Sequence, residues 1–200
     1  MWALVTDNTI TKTLNNPKGM IIDDIQYSRK IFSLWSVSEK EAKGIYEVVF
    51  NNTNKKDEAY YTNTNQSFAF ADGVVTASYG SATAKAHADT LFTSDDEDNG
   101  LGTEGEVKVE GLKTKKIRTV KRQAASILTQ TDWYIVRKAD AGTAVPSAIT
   151  THRAAVRTKC ASQETQITNA SDTPALETLY TYTTTDGVQS RPLGELPILE

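Results

Sequence analysis

Asp132, Trp133 and Arg137 stand together in the run "ILTQTDWYIVR", and "VPSAITTHRAAVR" follows with His152, Arg153 and Arg157. A carboxylate, an indole and several cations so spaced could move protons, hold an anion or pack helices. Proton transfer needs a base within reach of a nucleophile or substrate proton. No G-x-S-x-G elbow accompanies the cluster. Gly100, Gly102 and Gly105 satisfy G-x-G-x-x-G, but dinucleotide binding needs a strand before the motif and a helix opening from it. Here the acidic run Asp95, Asp96, Glu97, Asp98 precedes it and "EVKVE" follows, so a flexible loop is expected. Those acids also lack the spacing of a calcium-binding loop. A structural zinc site needs about four soft ligands, and only His87, His152 and Cys160 are available. His152 and Cys160 lie about two helical turns apart, which suits packing and is too far for chelation or for a Cys-His nucleophile. No catalytic, cofactor-binding or metal-ligating residue is therefore assigned, and an enzyme is not expected.

The cluster is positioned by predicted helices. Leu112, Ile117, Val120, Ala124, Ile127 and Leu128 recur near the helical period, opposite a face of Lys113, Lys115, Lys116, Arg118, Lys121 and Arg122. Thr131 or Asp132 restarts the chain as an N-cap for a short helix, with Trp133 as a buried anchor at the corner. Arg137, Arg153 and Arg157 would then bridge carboxylates or carbonyls between helices. Gly142 and Pro146 close that helix and open a third, with Pro146 at its first position. Ile149, His152, Val156, Cys160, Gln163 and Ile167 form a heptad-like stripe on it, which predicts association between copies.

Upstream, "WALVT" and "TITKTL" flank Asp7-Asn8 as a hairpin. Ser36 and Glu39 match a capping box for a one- or two-turn helix ending at Gly44. Ile45–Phe50 reads as a strand, and Asp72-Gly73 joins a second hairpin. The expected fold class is α+β: a small antiparallel N-terminal β unit over 1–80, a linker with an acidic loop over 81–111, a two- to three-helix region over 112–170, and an extended C-terminal arm over 171–200.

The totals constrain partners. Thirty-eight per cent hydrophobic residues and a mean hydropathy of −0.43 favour small packed units or surface covered in an assembly. A net charge of −3 carries no global signature for nucleic acid, which is not expected as a partner. No apolar run approaches the roughly 20 residues that span a bilayer, so no membrane partner is expected. The opening "MWALVTDNTITK" does not read as a secretory signal. A single cysteine excludes an intrachain disulfide and fits a reduced cytoplasm.

"ILTQTDWYIVRKADAG" followed by "VPSAITTHRAAVR" resembles the C-terminal helical region of tailed-bacteriophage tail proteins, including the tail-fibre-assembly and tail-assembly-chaperone-like group. "MWALV", "IFSLWS" and "EAKGIYEVVF" are similar to the short β openings of phage virion proteins. The likeness covers 1–80 loosely and 112–160 better. Ile-Leu in place of Leu-Leu at the corner and the Thr- and Pro-rich tail beyond Ala170 depart from it. The resemblance implies no catalytic residue. It implies a structural component of a virion, at the tail, baseplate or fibre attachment, assembled in the host cytoplasm beside other virion proteins and as a homo-oligomer. The alternative it allows is an assembly chaperone absent from the mature particle. Trp2, Trp35 and Trp133 are the expected apolar anchors. Asp132, Arg137, Ile149, His152, Arg153, Val156, Arg157 and Ile167 complete the expected packing and interface set.

Overall fold

The computed structural model describes residues 1–64 and 66–199; positions 65 and 200 lie outside the described residues. Strands and helices are both present, strands first, in an α+β chain. The chain divides into two compact units, Met1–Thr83 and Ala84–Glu200.

In the first unit, β1 (Trp2–Thr6) and β2 (Thr9–Leu14) form a hairpin. Asp7 and Asn8 both take positive φ, 50° and 58°, the tight turn that Asp and Asn tolerate best. A second small hairpin joins β3 (Met20–Ile22) to β4 (Ile25–Tyr27). Two short helices follow, α1 (Ile31–Leu34) and α2 (Val37–Glu41), where one was expected. The Ser36 hydroxyl accepts from the Glu39 amide at 3.2 Å, and the Glu39 carboxylate accepts from the Ser36 amide at 2.7 Å. Those bonds from Ser36 hold the Glu39 carboxyl below its ordinary range. Gly44, at φ 72°, is required because a Cβ there would run into the Val5 carbonyl oxygen.

β5 (Ile45–Asn51) pairs antiparallel with β1 and parallel with β8 (Val74–Ser78), which pairs antiparallel with β7 (Ser67–Ala71) through the Asp72-Gly73 turn. The sheet order is β2-β1-β5-β8-β7. The parallel β5–β8 pair corrects the expectation of an antiparallel unit. Parallel pairing needs a long crossover, and the chain between Asn51 and Val74, which also holds β6 (Tyr61–Thr62), supplies it. The two-residue β9 (Thr83–Ala84) marks the join between the units.

Both sheet faces carry a core. Leu14, Met20, Ile22, Ile31, Phe32 and Ile45 cluster on one, with Trp2 and Trp35 packed against them. Ala3, Val48, Val75 and Ala77 cluster on the other, flanked by Tyr46 and Phe70. The edge strands β2 and β7 also touch, so the sheet curls.

The second unit opens with a ribbon of β10 (Thr90–Leu91) and β11 (Val107–Val109) enclosing the one-turn helix α3 (Ser94–Asp98). The acidic run is thus a capped helix, which corrects the loop expectation. Thr93 and Asp96 make a reciprocal capping box, and carboxylates in a first turn oppose the positive end of the helix dipole. The glycines after it serve packing and turning: a Cβ on Gly102 would strike the Phe92 ring, and Gly105 has φ 82°. Then come α4 (Leu112–Thr129), α5 (Asp132–Ala141) and α6 (Ser147–Asn169). Pro146 stands one residue before α6, in extended backbone, rather than at its first position.

Residues 171–200, expected as an extended arm, hold α7 (Thr173–Tyr180) and a hairpin of β12 (Thr183–Thr185) and β13 (Val188–Ser190). The Asp172 carboxylate accepts from the Ala175 amide at 2.8 Å, with Pro174 in the first turn, a helix start that outweighs the Thr-rich strand propensity. Asp186 and Gly187, at φ 51° and 77°, turn the hairpin. Fully buried Leu176 and Leu193 then fasten the segment to its own unit.

Candidate functional site

α4 and α6 run antiparallel, since Lys113 donates to the Thr168 carbonyl at 2.8 Å, Lys121 pairs with Glu164 at 3.1 Å, and Arg153 reaches Leu128. All six members of the predicted stripe, Ile149, His152, Val156, Cys160, Gln163 and Ile167, are buried on α6. The stripe is therefore used within the chain, against Leu112, Val120 and Ala124 of α4, and this corrects the expectation that it joins copies. Polar members are tolerated because they find partners. Gln163 donates to the Gly194 carbonyl at 2.8 Å, and the Cys160 thiol donates to Glu164 at 3.4 Å. Burial first, and the bond to Glu164 second, push the Cys160 pKa up.

The turn from α4 to α5 is organised by Arg153. Its side chain is buried, and Nη1 donates to the Leu128 carbonyl and the Thr131 hydroxyl, both at 2.7 Å. Nη2 pairs with Asp132 at 2.8 Å. One guanidinium thus satisfies the carbonyl end of α4 and fixes the first residue of α5. Thr131 holds the N-cap position without a side-chain bond, and Asp132 follows as the first helical residue. Gly142, at φ 69°, ends α5 in the left-handed conformation expected of it.

α5 buries none of its ten residues. Trp133 is 52% exposed, Ile135 43% and Val136 66%. The expectation of a buried Trp anchor is overturned: the Asp132–Arg153 pair ties the start of the helix to α6, and Trp133, Ile135 and Val136 stay in solvent. Trp133 and Tyr134 stack with centroids 3.9 Å apart. The Arg137 guanidinium carbon lies 4.7 Å from the Trp133 ring and 5.4 Å from the Tyr134 ring. Arg137 thus lies on an aromatic platform instead of bridging helices, held by cation–π attraction. Arg157 is exposed on α6.

The other expected anchors sit elsewhere. Trp2 packs on Phe32 at 5.2 Å with Lys40 above its ring at 4.6 Å, and Trp35 meets Tyr27 edge-on at 5.3 Å. Both are half-buried parts of the first unit's own core rather than free docking groups. The basic face of α4 is also partly spent internally, with Arg118 on Glu110 and Lys116 over the Tyr180 ring at 4.4 Å.

Several contacts had no signal along the chain. Asp89 caps α4 from 22 residues upstream, accepting from the Gly111 amide at 2.6 Å and the Thr114 hydroxyl at 2.8 Å. The Gly111 bond is the main reason its carboxyl is held below the ordinary range. His87 Nε2 donates to the Ala170 carbonyl at 2.9 Å, and buried Thr173 donates to the Lys85 carbonyl at 2.9 Å. In the tail, Arg191 grips Glu195 while Tyr182 donates to the same carboxylate at 2.6 Å. That bond lowers the Glu195 pKa and raises that of Tyr182.

Among the described residues, no three His, Cys, Asp or Glu side chains converge as a metal set, and no helix is long and apolar enough to cross a membrane. Comparison with family models, curated proteins and solved structures finds no match. What the arrangement offers is an aromatic–cation surface on α5.

Proposed function

We propose that this chain is a non-enzymatic structural component of a bacteriophage virion, at the tail, baseplate or fibre attachment, acting by protein–protein packing. The observation that carries the packing reading is α5, a helix that presents Trp133, Ile135 and Val136 to solvent beside half-buried Arg137 while Arg153 clamps its start. Trp, Tyr and Arg dominate binding energy at protein interfaces, and a helix apolar on several sides is normally covered. The rings of Trp133 and Tyr134 are already stacked beneath Arg137, so little side-chain freedom remains to be lost on binding. The virion assignment is supported by the resemblance of "ILTQTDWYIVRKADAG" and "VPSAITTHRAAVR" to phage tail proteins.

Mass spectrometry of purified virions tests the reading. The chain is expected in the particle at stoichiometric abundance, and Trp133→Ala is expected to reduce its incorporation. Presence in infected cells with absence from particles would replace this reading with that of an assembly chaperone.

A further inference from the structure

We infer that α5 is covered by a second copy of this chain, through the acidic ribbon β10–α3–β11 of that copy. The inference rests on the packing reading and names its partner. Within the second unit the charges are sharply segregated. Residues 90–110 hold seven acidic side chains against Lys108 alone, whereas residues 112–160 hold eleven basic ones against Asp132 and Asp140. Some of this charge is satisfied internally: Lys108 pairs with Asp96, Arg118 with Glu110, Lys121 with Glu164 and Arg153 with Asp132. What remains in solvent is complementary. Asp95, Asp98 and Glu104 are exposed on the ribbon, and on α5 Lys138 is exposed and Arg137 half-exposed on its aromatic platform against one exposed acid, Asp140.

The apolar surfaces match as well. Leu91 and Val107 are register partners, so they share a ribbon face, and both are 48% exposed. Lys108, the one basic side chain in 90–110, is taken up on Phe92 and Asp96. On α5, Trp133, Val136 and Arg137 fall at i, i+3 and i+4 and so lie on one face. A ribbon with exposed apolar and acidic side chains thus complements a helix with exposed apolar side chains and cations, the pattern that steers and orients association.

The two patches are different surfaces of one unit, so the contact is heterologous. Each copy uses its ribbon on one neighbour and its α5 on another, and copies join head to tail into a ring or a filament.

Sedimentation velocity of the full chain tests this. Concentration-dependent assembly is expected at about 0.05 M salt and at least tenfold weaker assembly at about 0.5 M, because exposed charges are screened there. Arg137→Glu with Lys138→Glu should leave a monomer, and so should Asp98→Lys with Glu104→Lys. All four positions are exposed or half-exposed, and circular dichroism will establish that each variant folds. Mixing the two variants should restore assembly in 1:1 proportion, since the unaltered ribbon of one meets the unaltered α5 of the other and the two reversed patches match each other. Combining all four changes in one chain should restore assembly. A wild-type chain that stays monomeric, or assembly indifferent to either pair of reversals, overturns the inference. The packing reading is judged separately, by virion incorporation of the Trp133→Ala chain: loss of incorporation with a monomeric wild type would mean that α5 meets a different virion protein.

Discussion

Helix α6 buries His152, Arg153 and Gln163 beside Ile149, Val156 and Ile167, whereas α5, just across Gly142, leaves Trp133, Ile135 and Val136 in solvent. Apolar content alone would have ranked them the other way. α6 runs alongside α4, and Arg153 and Gln163 donate to the Leu128 and Gly194 carbonyls, bonds that offset part of the desolvation loss. α5 is tied at its start by the Arg153–Asp132 pair and leaves those three side chains in solvent. Burial follows from what lies opposite a face and whether its polar atoms are satisfied. The fixed but uncovered apolar face of α5 is what the packing proposal rests on.

The contrast can be broken most forcefully at Ile167, which is fully buried. Ile167→Ala should destabilise the second unit by about 2–5 kcal/mol, read from the urea midpoint at unchanged slope. A loss far below 1 kcal/mol would mean that α6 is not the core helix described. Arg153→Ala comes next. It removes the guanidinium's bonds to the Leu128 carbonyl and the Thr131 hydroxyl and its pair with Asp132, at a cost of about 1–3 kcal/mol. Amide hydrogen exchange should accelerate in α5 more than in α6, and equal acceleration would deny Arg153 its role as a clamp. Asp89→Asn has a smaller effect that depends on pH. The native Asp89 pKa is depressed, so the stability it lends is complete above the ordinary carboxylate range and is lost as pH falls through its lower native value. Wild type and Asp89→Asn should therefore differ at neutral pH and converge in acid, and a constant difference across pH would refute the charged cap. Trp133→Ala should do least to the isolated chain, within about 0.5 kcal/mol of wild type in urea. A large loss there would show that Trp133 is a core residue after all.

The α6 stripe was legible because helical spacing states which residues share a face, and all six predicted members are buried. The Asp7-Asn8 and Asp72-Gly73 turns were legible because positive φ restricts residue choice. Spacing does not state what lies across a face, so the stripe read as an interface between copies and Trp133 read as buried. The β5–β8 pairing, the Asp89 cap and the Arg191–Glu195–Tyr182 contact join residues with no local pattern between them. The tail was misread because Thr-rich composition hid two local signals, Asp172-Thr-Pro and Asp186-Gly187.

Segment 85–89 touches both the beginning of the helical region and its end, and this orders events during synthesis. Asp89 can cap α4 once Gly111 and Thr114 have left the ribosome. Its neighbours His87 and Lys85 must wait for Ala170 and Thr173, 83 and 88 residues later in the chain. At about 5–20 residues per second, that delay is on the order of 4 to 18 s. In the later part of that interval, once Thr114 is out, the nascent α4 carries its cap while Val120 and Ala124 wait for the emerging α6. The second unit thus spends seconds with its future interior open, a window in which a holdase could engage it and from which a synonymous-codon change in 112–173 could alter its yield.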